Sequence, residues 1–362
     1  MNAPPARIPV TLLTGFLGAG KTTLLNRLLK HPDTVDTAVL INEFGEVGLD
    51  HLLVERLDDD TILLNAGCLC CTIRGDLVRA LGDLAARVAA GQRLRRVIIE
   101  TTGLADPAPI LQTLMAEPRL LRDFVLDGVV TLVDAVNGAA TLDTQPEAVR
   151  QAAVADRLLL SKTDIADADA TSRLRRRLRA LNPGALLRDA IAGDVPPSLV
   201  LAAGPYDPAA RPEDVVRWLH DTEPAEDHHH GAHAHHGQAH DPNRHDSRIH
   251  SFCLTFDEPL DLRALATWLE MITATRCESL LRVKGLLNLA GEDRPVVLHA
   301  VQHVFHPTVQ LKAWPPGDDR RSRLVFIVRD LPRRAIEESL RAFLDAGAAA
   351  QPKHSLRKET TP

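Results

Sequence analysis

The stretch Val10-Thr-Leu-Leu-Thr-Gly15-Phe-Leu-Gly18-Ala19-Gly20-Lys21-Thr22-Thr23-Leu-Leu-Asn26 places three signals side by side. The apolar run Val10 to Leu13 reads as a buried strand, and Thr22 to Lys30 reads as an amphipathic helix. Between them, Gly15 to Thr22 has the spacing GxxxxGK[ST]. Strand, glycine-rich turn and helix in this order are the context in which backbone N–H groups converge on phosphate oxygens. The positive end of the helix adds to the attraction. Gly15, Gly18, Ala19 and Gly20 form the cradle, and Lys21 reaches the β- and γ-phosphates. The Thr22 hydroxyl is a Mg²⁺ ligand, and Thr23 can bond the α-phosphate.

Outward from this loop, short apolar runs alternate with helical segments up to about Gly204. The further runs are Ala38 to Ile41, Ile62 to Leu64, Val97 to Ile99, Gly128 to Val133 and Leu158 to Leu160. They are apolar without alternation, as strands covered on both faces are. Helical segments such as Asp76 to Ala90 and Ala170 to Leu181 separate them. The expected fold class is α/β, with a mainly parallel sheet.

Two later strand ends carry polar groups suited to a nucleotide. Arg96-Val-Ile-Ile-Glu100 brings a carboxylate to the end of a buried run, and Thr101-Thr-Gly103 follows. Glu100 is a candidate for the Mg²⁺ shell, directly or through water. The N–H of Gly103 is placed to sense the γ-phosphate and move when it leaves. Leu158-Leu-Leu-Ser161-Lys162-Thr-Asp164 resembles the NKxD signature for guanine, with Ser161 in place of Asn. Asp164 can accept from guanine N1 and the 2-amino group, which adenine cannot satisfy. The stem of Lys162 can pack on the base. GTP is therefore favoured over ATP.

Gly67-Cys68-Leu-Cys70-Cys71 holds three of the chain's five cysteines within four positions. Thiolates favour Zn²⁺ and other soft or borderline ions. A position just ahead of a helix lowers thiol pKa, which assists capture. Three sulfurs leave a fourth position open, as a transfer site requires. Glu46, in Asn42-Glu-Phe-Gly-Glu46, is a candidate further ligand. Buried apolar cysteines and a strained Cys70–Cys71 redox pair are the competing readings. The other two, Cys253 and Cys277, read as core residues.

From about Tyr206 to Ser247 the pattern breaks into a polar segment with nine of the sixteen histidines. His228, His229, His230, His233, His235, His236 and His240 read either as a low-specificity metal store or as part of a solvated linker. Structure resumes near Arg248. Strands are expected at Ser251 to Phe256, Leu280 to Leu289, Val296 to Val304 and Leu324 to Val328, with helices at Leu260 to Met271 and Pro332 to Ala346. His299, His303 and His306 read as surface or packing residues. The expected organisation is a nucleotide domain at 7–205, a His-rich linker at 206–247, a smaller α+β C-terminal domain at 248–346 and a polar tail at 347–362.

The 362 residues are 45% hydrophobic but only 3% aromatic, so the core is aliphatic. The net charge of −6 argues against general nucleic-acid binding, and there is no apolar run of membrane-spanning length. The beginning of the chain lacks the apolar core of a secretory signal, so a cytoplasmic location is the expectation.

Together, Gly15 to Asn26, Asn42 to Glu46, Gly67 to Cys71, Glu100-Thr-Thr-Gly-Leu-Ala-Asp-Pro107 and Leu281-Arg-Val-Lys-Gly285 resemble the CobW-type GTPases. That group includes zinc metallochaperones and cobalamin-synthesis proteins. The resemblance covers roughly residues 9–344. It implies a P-loop GTPase domain followed by the smaller C-terminal domain, and GTP hydrolysis coupled to delivery of Zn²⁺ or Co²⁺ to a client metalloprotein. Ser161 departs from the usual Asn, and Ile41 stands where some members have a metal-binding Glu. No intrinsic arginine finger or catalytic glutamine stands out, so slow turnover is expected, assisted by a client or by a second copy in a homodimer. A cobalt chaperone or metalloenzyme activator, a metal-independent GTP switch and a metal-storage protein are the alternatives.

Overall fold

The computed structural model describes residues 7–44, 61–66, 71–201 and 248–350. Glu46, Cys68, Cys70 and the histidine tract lie outside the described residues.

Seven parallel strands form the first sheet: β1 (Ile8–Gly15), β2 (Thr37–Phe44), β3 (Thr61–Ala66), β4 (Arg96–Thr101), β5 (Phe124–Asp134), β6 (Arg157–Ser161) and β7 (Leu186–Ala190). Their order is β3-β2-β4-β1-β5-β6-β7. Between them run α1 (Lys21–Leu29), α2 (Cys71–Ala89), α3 (Ala108–Ala116), α4 (Pro118–Asp123), α5 (Gly138–Thr144), α6 (Pro146–Ala153) and α7 (Ala168–Leu181). Every apolar run of the sequence lies inside a strand.

The two-residue alternation of a strand explains how both faces are covered. Val10, Leu12, Val97 and Ile99 pack on one side with Leu81, Leu84, Leu111 and Leu114 of α2 and α3. Leu13, Ile98, Val130 and Leu132 pack on the other with Leu24, Leu25 and Leu28 of α1. Leu158 and Leu160 meet Leu174 and Leu178 of α7 in a third cluster. Asp167 caps α7, its carboxylate accepting from the Ala170 N–H at 2.7 Å.

Some boundaries differ from the sequence reading. The helix α2 starts at Cys71 rather than Asp76, because it continues through Gly75, a poor helix former that disguises the first turn. The strand β5 starts at Phe124, and its register against β1 shifts between Val10 and Thr11. The strand β7 was not anticipated. It is an edge strand whose Arg188 and Asp189 are exposed, so it lacks a continuous apolar run.

The second sheet is antiparallel and comprises β8 (Ile249–Phe256), β9 (Leu280–Leu287), β10 (Val296–Val301), β11 (Val304–Phe305), β12 (Val309–Gln310) and β13 (Ser322–Arg329). Its main order is β11-β10-β9-β13-β8, with β12 beside β10. The expected strand Val296 to Val304 is in fact a tight hairpin. The chain reverses at Gln302, which has φ 54°, and Val301 pairs with Val304. Two helices, α8 (Leu262–Arg276) and α9 (Arg333–Ala350), cover one face. Trp268, Ile336 and Leu340 pack there against Leu254, Val283 and Phe326. The helix α9 runs past Ala346 to Ala350. A Cβ on Gly347 would lie 2.8 Å from that of Ala264, so glycine permits the close approach to α8. Cys253 and Cys277 are half-buried rather than core residues, and Cys277 sits at the end of α8.

The opposite face of the second sheet docks on the first unit. Arg282, Lys284, His299 and Ile327 share that face by register, with Lys284 opposite His299 and Arg282 opposite Ile327. Leu281 and Ile327 pack on Ala153 of α6. Gln112 donates to Gln302 at 2.9 Å, and Ser251 to the Ala180 carbonyl at 3.0 Å. His299 and His306 are buried, whereas His303 is exposed.

Candidate nucleotide and metal site

All strands of the first sheet are parallel, so their carboxyl ends share one edge, where open α/β sheets bind ligands. The Gly15 to Thr22 loop leaves β1 there. Gly15 has φ 140°, and a Cβ on it would sit 2.4 Å from the Leu132 carbonyl oxygen, so only glycine fits against β5. Gly18 and Gly20 also have positive φ, and Gly20 leads directly into α1. Ala19 is buried, its N–H donating to the Phe16 carbonyl at 3.1 Å. The Lys21 ammonium curls over its own loop, donating to the carbonyls of Gly15 at 2.9 Å and Phe16 at 3.3 Å. It occupies the mouth of the cradle that the sequence assigned to phosphate.

Thr22 and Glu100 meet, although they come from different segments. The Thr22 hydroxyl donates to Glu100 Oε1 at 3.1 Å. The register explains it: β4 lies beside β1, with Leu13 opposite Glu100. Two oxygen donors side by side at a phosphate cradle suit a hard divalent cation. Thr23 is exposed on the first turn of α1. Gly103 presses against the cradle, since a Cβ on it would be 2.4 Å from the Leu17 nitrogen.

Ser161 has a role its sequence position did not disclose. Its hydroxyl donates to the Ala19 carbonyl at 2.7 Å in a buried site, so it braces the phosphate loop rather than extending toward a base. Lys162, with φ 59°, turns back, and its ammonium pairs with Asp134 Oδ2 at 2.7 Å. Asp164 is exposed two residues further on.

Asp134 was missed by the sequence reading. It also accepts from the Val136 N–H at 2.8 Å and the Asn137 side-chain amide at 3.0 Å. Burial pushes its carboxyl up, but the hydrogen bonds from Lys162, Asn137 and Val136 outweigh that and hold it below the usual value. The signal was available, because Asp134 ends a buried strand just as Glu100 does. A cavity of about 230 Å³ opens here, lined among others by Phe16, Leu17, Asp134, Asn137 and Lys162. Gln151 also lines it, and nothing in the sequence distinguished this residue.

Residues 67–70 lie outside the described residues, between two described elements. The strand β3 ends at Ala66, and α2 begins at Cys71, the last of the three clustered cysteines, rather than after it. Only β2 separates β3 from β4. The end of β3 is therefore two strand spacings, about 10 Å, from the strand that carries Glu100. Among the described residues no group of three His, Cys, Asp or Glu side chains is placed to hold a metal. Nor is any helix among them long and apolar enough to cross a membrane.

The chain is similar to known proteins over most of its length. The model of the CobW/HypB/UreG nucleotide-binding domain matches residues 9–188, and that of the cobalamin synthesis protein cobW C-terminal domain matches residues 249–344. The zinc chaperone YjiA of Escherichia coli is 34% identical over 337 residues, covering 92% of this chain and 97% of its own. The zinc chaperone CobW of Pseudomonas aeruginosa is 30% identical, covering 94% and 92% respectively. The crystal structure of the Zn(II)-bound YjiA GTPase from Escherichia coli superposes with a TM-score of 0.64 at 29% identity, covering 93% of this chain and 99% of that one.

Proposed function

This chain belongs to the CobW/HypB/UreG family, and from that premise we propose that it is a GTP-hydrolysing metallochaperone that binds zinc on the Cys68 to Cys71 loop and passes it to a client metalloprotein. The observation that carries the reading is the pairing of Thr22 with Glu100 at the edge where β3 delivers the cysteine loop. Relatives that span nearly the whole chain are zinc chaperones by name.

In this reading the backbone N–H groups of the Gly15 to Lys21 loop and the start of α1 receive the phosphates. Lys21 exchanges the carbonyls of Gly15 and Phe16 for phosphate oxygens. Asp164 selects guanine, and Asp134 holds the Lys162 stem in line. Thr22 and Glu100 would hold Mg²⁺, which supplies charge neutralisation at the β- and γ-phosphates when bound. The Gly103 N–H faces the γ-phosphate and relaxes when it departs. The thiolates of Cys68, Cys70 and Cys71, with Glu46, receive zinc as cargo. Ordering of the Glu46 and Gly103 loops by GTP assembles that site, and hydrolysis on a client releases it.

The test is the zinc affinity of the full chain with GDP and with a non-hydrolysable GTP analogue, in the wild type and in Cys68→Ser/Cys70→Ser/Cys71→Ser. Tighter zinc binding in the GTP state, lost in the triple variant, is the expected result. Unchanged affinity in the triple variant would remove the cysteine loop from the mechanism.

A further inference from the structure

The loop that follows Glu100 is held from behind by one side chain. Gln151, fully buried on α6, donates from Nε2 to the Gly103 carbonyl at 3.1 Å and the Ala105 carbonyl at 3.0 Å. Both partners are acceptors, so they dictate which end of the amide faces them. The Gln151 backbone carbonyl is itself bonded by the Thr131 hydroxyl of β5 at 2.8 Å. The preceding residue, Arg150, pairs with Asp106 at 3.4 Å. Two consecutive residues of α6 therefore grip residues 103–106.

The same short helix reaches the second sheet. Ala153 packs in one buried cluster with Leu281 and Ile327. Asp156, just beyond the helix, pairs with Arg282 at 2.5 Å and Lys284 at 3.1 Å. The Asn182 amide fastens the end of α6 by donating to the carbonyls of Ala152, Ala153 and Ala155 at 2.8–3.1 Å. Gly103 and the second sheet are thus joined through one packed element with no loop between the two contacts.

We propose that Gln151 is a positioning residue for the loop facing the γ-phosphate, and that α6 couples that loop through it to the docked face of the second sheet. The proposal rests on the reading of Gly15 to Thr22 as a GTP site. The physical argument is the cost of an unmade bond. If Gly103 moves with the γ-phosphate, Gln151 must either lose two buried hydrogen bonds or follow. Following is cheaper, because a stranded buried amide keeps its full desolvation penalty. A shift of α6 then moves Ala153 against Leu281 and Ile327, which are too tightly packed to absorb it locally. Coupling is reciprocal, so a partner bound on the second sheet biases the Gly103 loop in turn.

The experiment is amide hydrogen exchange on the full chain with GDP and with a non-hydrolysable GTP analogue, alongside GTPase kinetics. In the wild type, protection changes together at residues 101–107, in β9 and in β13. In Gln151→Met, which keeps length but removes the donors, α1 still responds to nucleotide while β9 and β13 no longer do. Its kcat falls about tenfold with KM nearly unchanged, as loss of loop positioning felt only in the transition state requires. If Gln151→Met does not fold, Arg150→Ala carries the test through the half-buried pair to Asp106, with a smaller change in the same direction. A variant whose β9 and β13 respond as in the wild type would overturn the proposal, as would a wild type responding only at residues 101–107. A wild type whose α1 ignores both nucleotides would overturn the phosphate-loop reading, and this proposal with it.

Discussion

The Asp156 carboxylate, fully buried, sits 2.5 Å from the guanidinium of Arg282 across 126 residues of sequence. It also accepts from the Val129 N–H at 2.9 Å, and Lys284 lies 3.1 Å away. Burial pushes the Asp156 carboxyl up. The cations of Arg282 and Lys284 outweigh it and hold the group below the carboxylate range. Removing this one anion takes the carboxylate away from the buried Arg282 guanidinium. Asp156→Ala should destabilise the protein by about 3–5 kcal/mol, measured by urea unfolding.

Two cations share one carboxylate in that cluster, and its charge balances when Lys284 gives up its proton. Burial and the neighbouring Arg282 push Lys284 down to about 7, against the pull of Asp156. His299, beside them, is held neutral by burial and by Arg282. The unfolded lysine titrates near its ordinary value of 10.5. Between the two values the unfolded chain binds a proton that the folded chain does not, so stability rises with pH across that window. It is lost again as pH falls toward 7. Urea midpoints from pH 6.5 to 9.5 should therefore climb in the wild type, and the climb should flatten in Lys284→Met.

Ser161→Ala removes the buried bond to Ala19 and leaves that carbonyl unsatisfied. Nucleotide affinity should fall by about 1 kcal/mol, roughly fivefold. GTP and GDP should suffer equally, because the loss is in the loop and not at the base. Isothermal titration with both nucleotides checks this.

The Gly103 loop touches the backbone of Leu17, where no side chain fits. Gly103→Ala should push the loop off the cradle. Displacement by an ångström near the reacting phosphate lowers kcat by about 100-fold. GDP binding, which makes no use of the γ-phosphate, should change little, so turnover and GDP affinity measured together isolate the effect.

Thr22→Ala removes the hydroxyl of the pair, and Glu100→Gln removes the negative charge of its carboxylate. Each should lower kcat by about 10²–10³ and raise the Mg²⁺ concentration needed for half-maximal activity. A Mg²⁺ titration of GTPase rate in both variants measures it.

The parallel sheet was legible because strands covered on both faces are apolar at nearly every position, and the six runs depart from that only at Thr11 and Thr131. The strand β7 was not, because the exposed Arg188 and Asp189 interrupt its apolar pattern. The hairpin at Gln302 reads as one strand in sequence because Gln302 and His303, between Val301 and Val304, include no glycine or proline to mark the reversal. Glu100 is conspicuous in sequence because it is an acid ending a buried run. Asp134 offered the same signal and was passed over.

The sequence by itself determined whatever depends on near neighbours. The loop from Gly15 to Thr22 is specified by the spacing of its own glycines and lysine, and the cysteine cluster lies within four positions of one loop. Tertiary structure decided what each polar group is for. Ser161 reaches Ala19 across 142 residues, Gln151 reaches Gly103 across 48, and Asp156 reaches Arg282 across 126. Such pairings depend on strand order and on which sheet face docks on which helix. A hydroxyl, an amide or a carboxylate reads the same in sequence wherever its partner lies, and only burial beside that partner gives it a definite role.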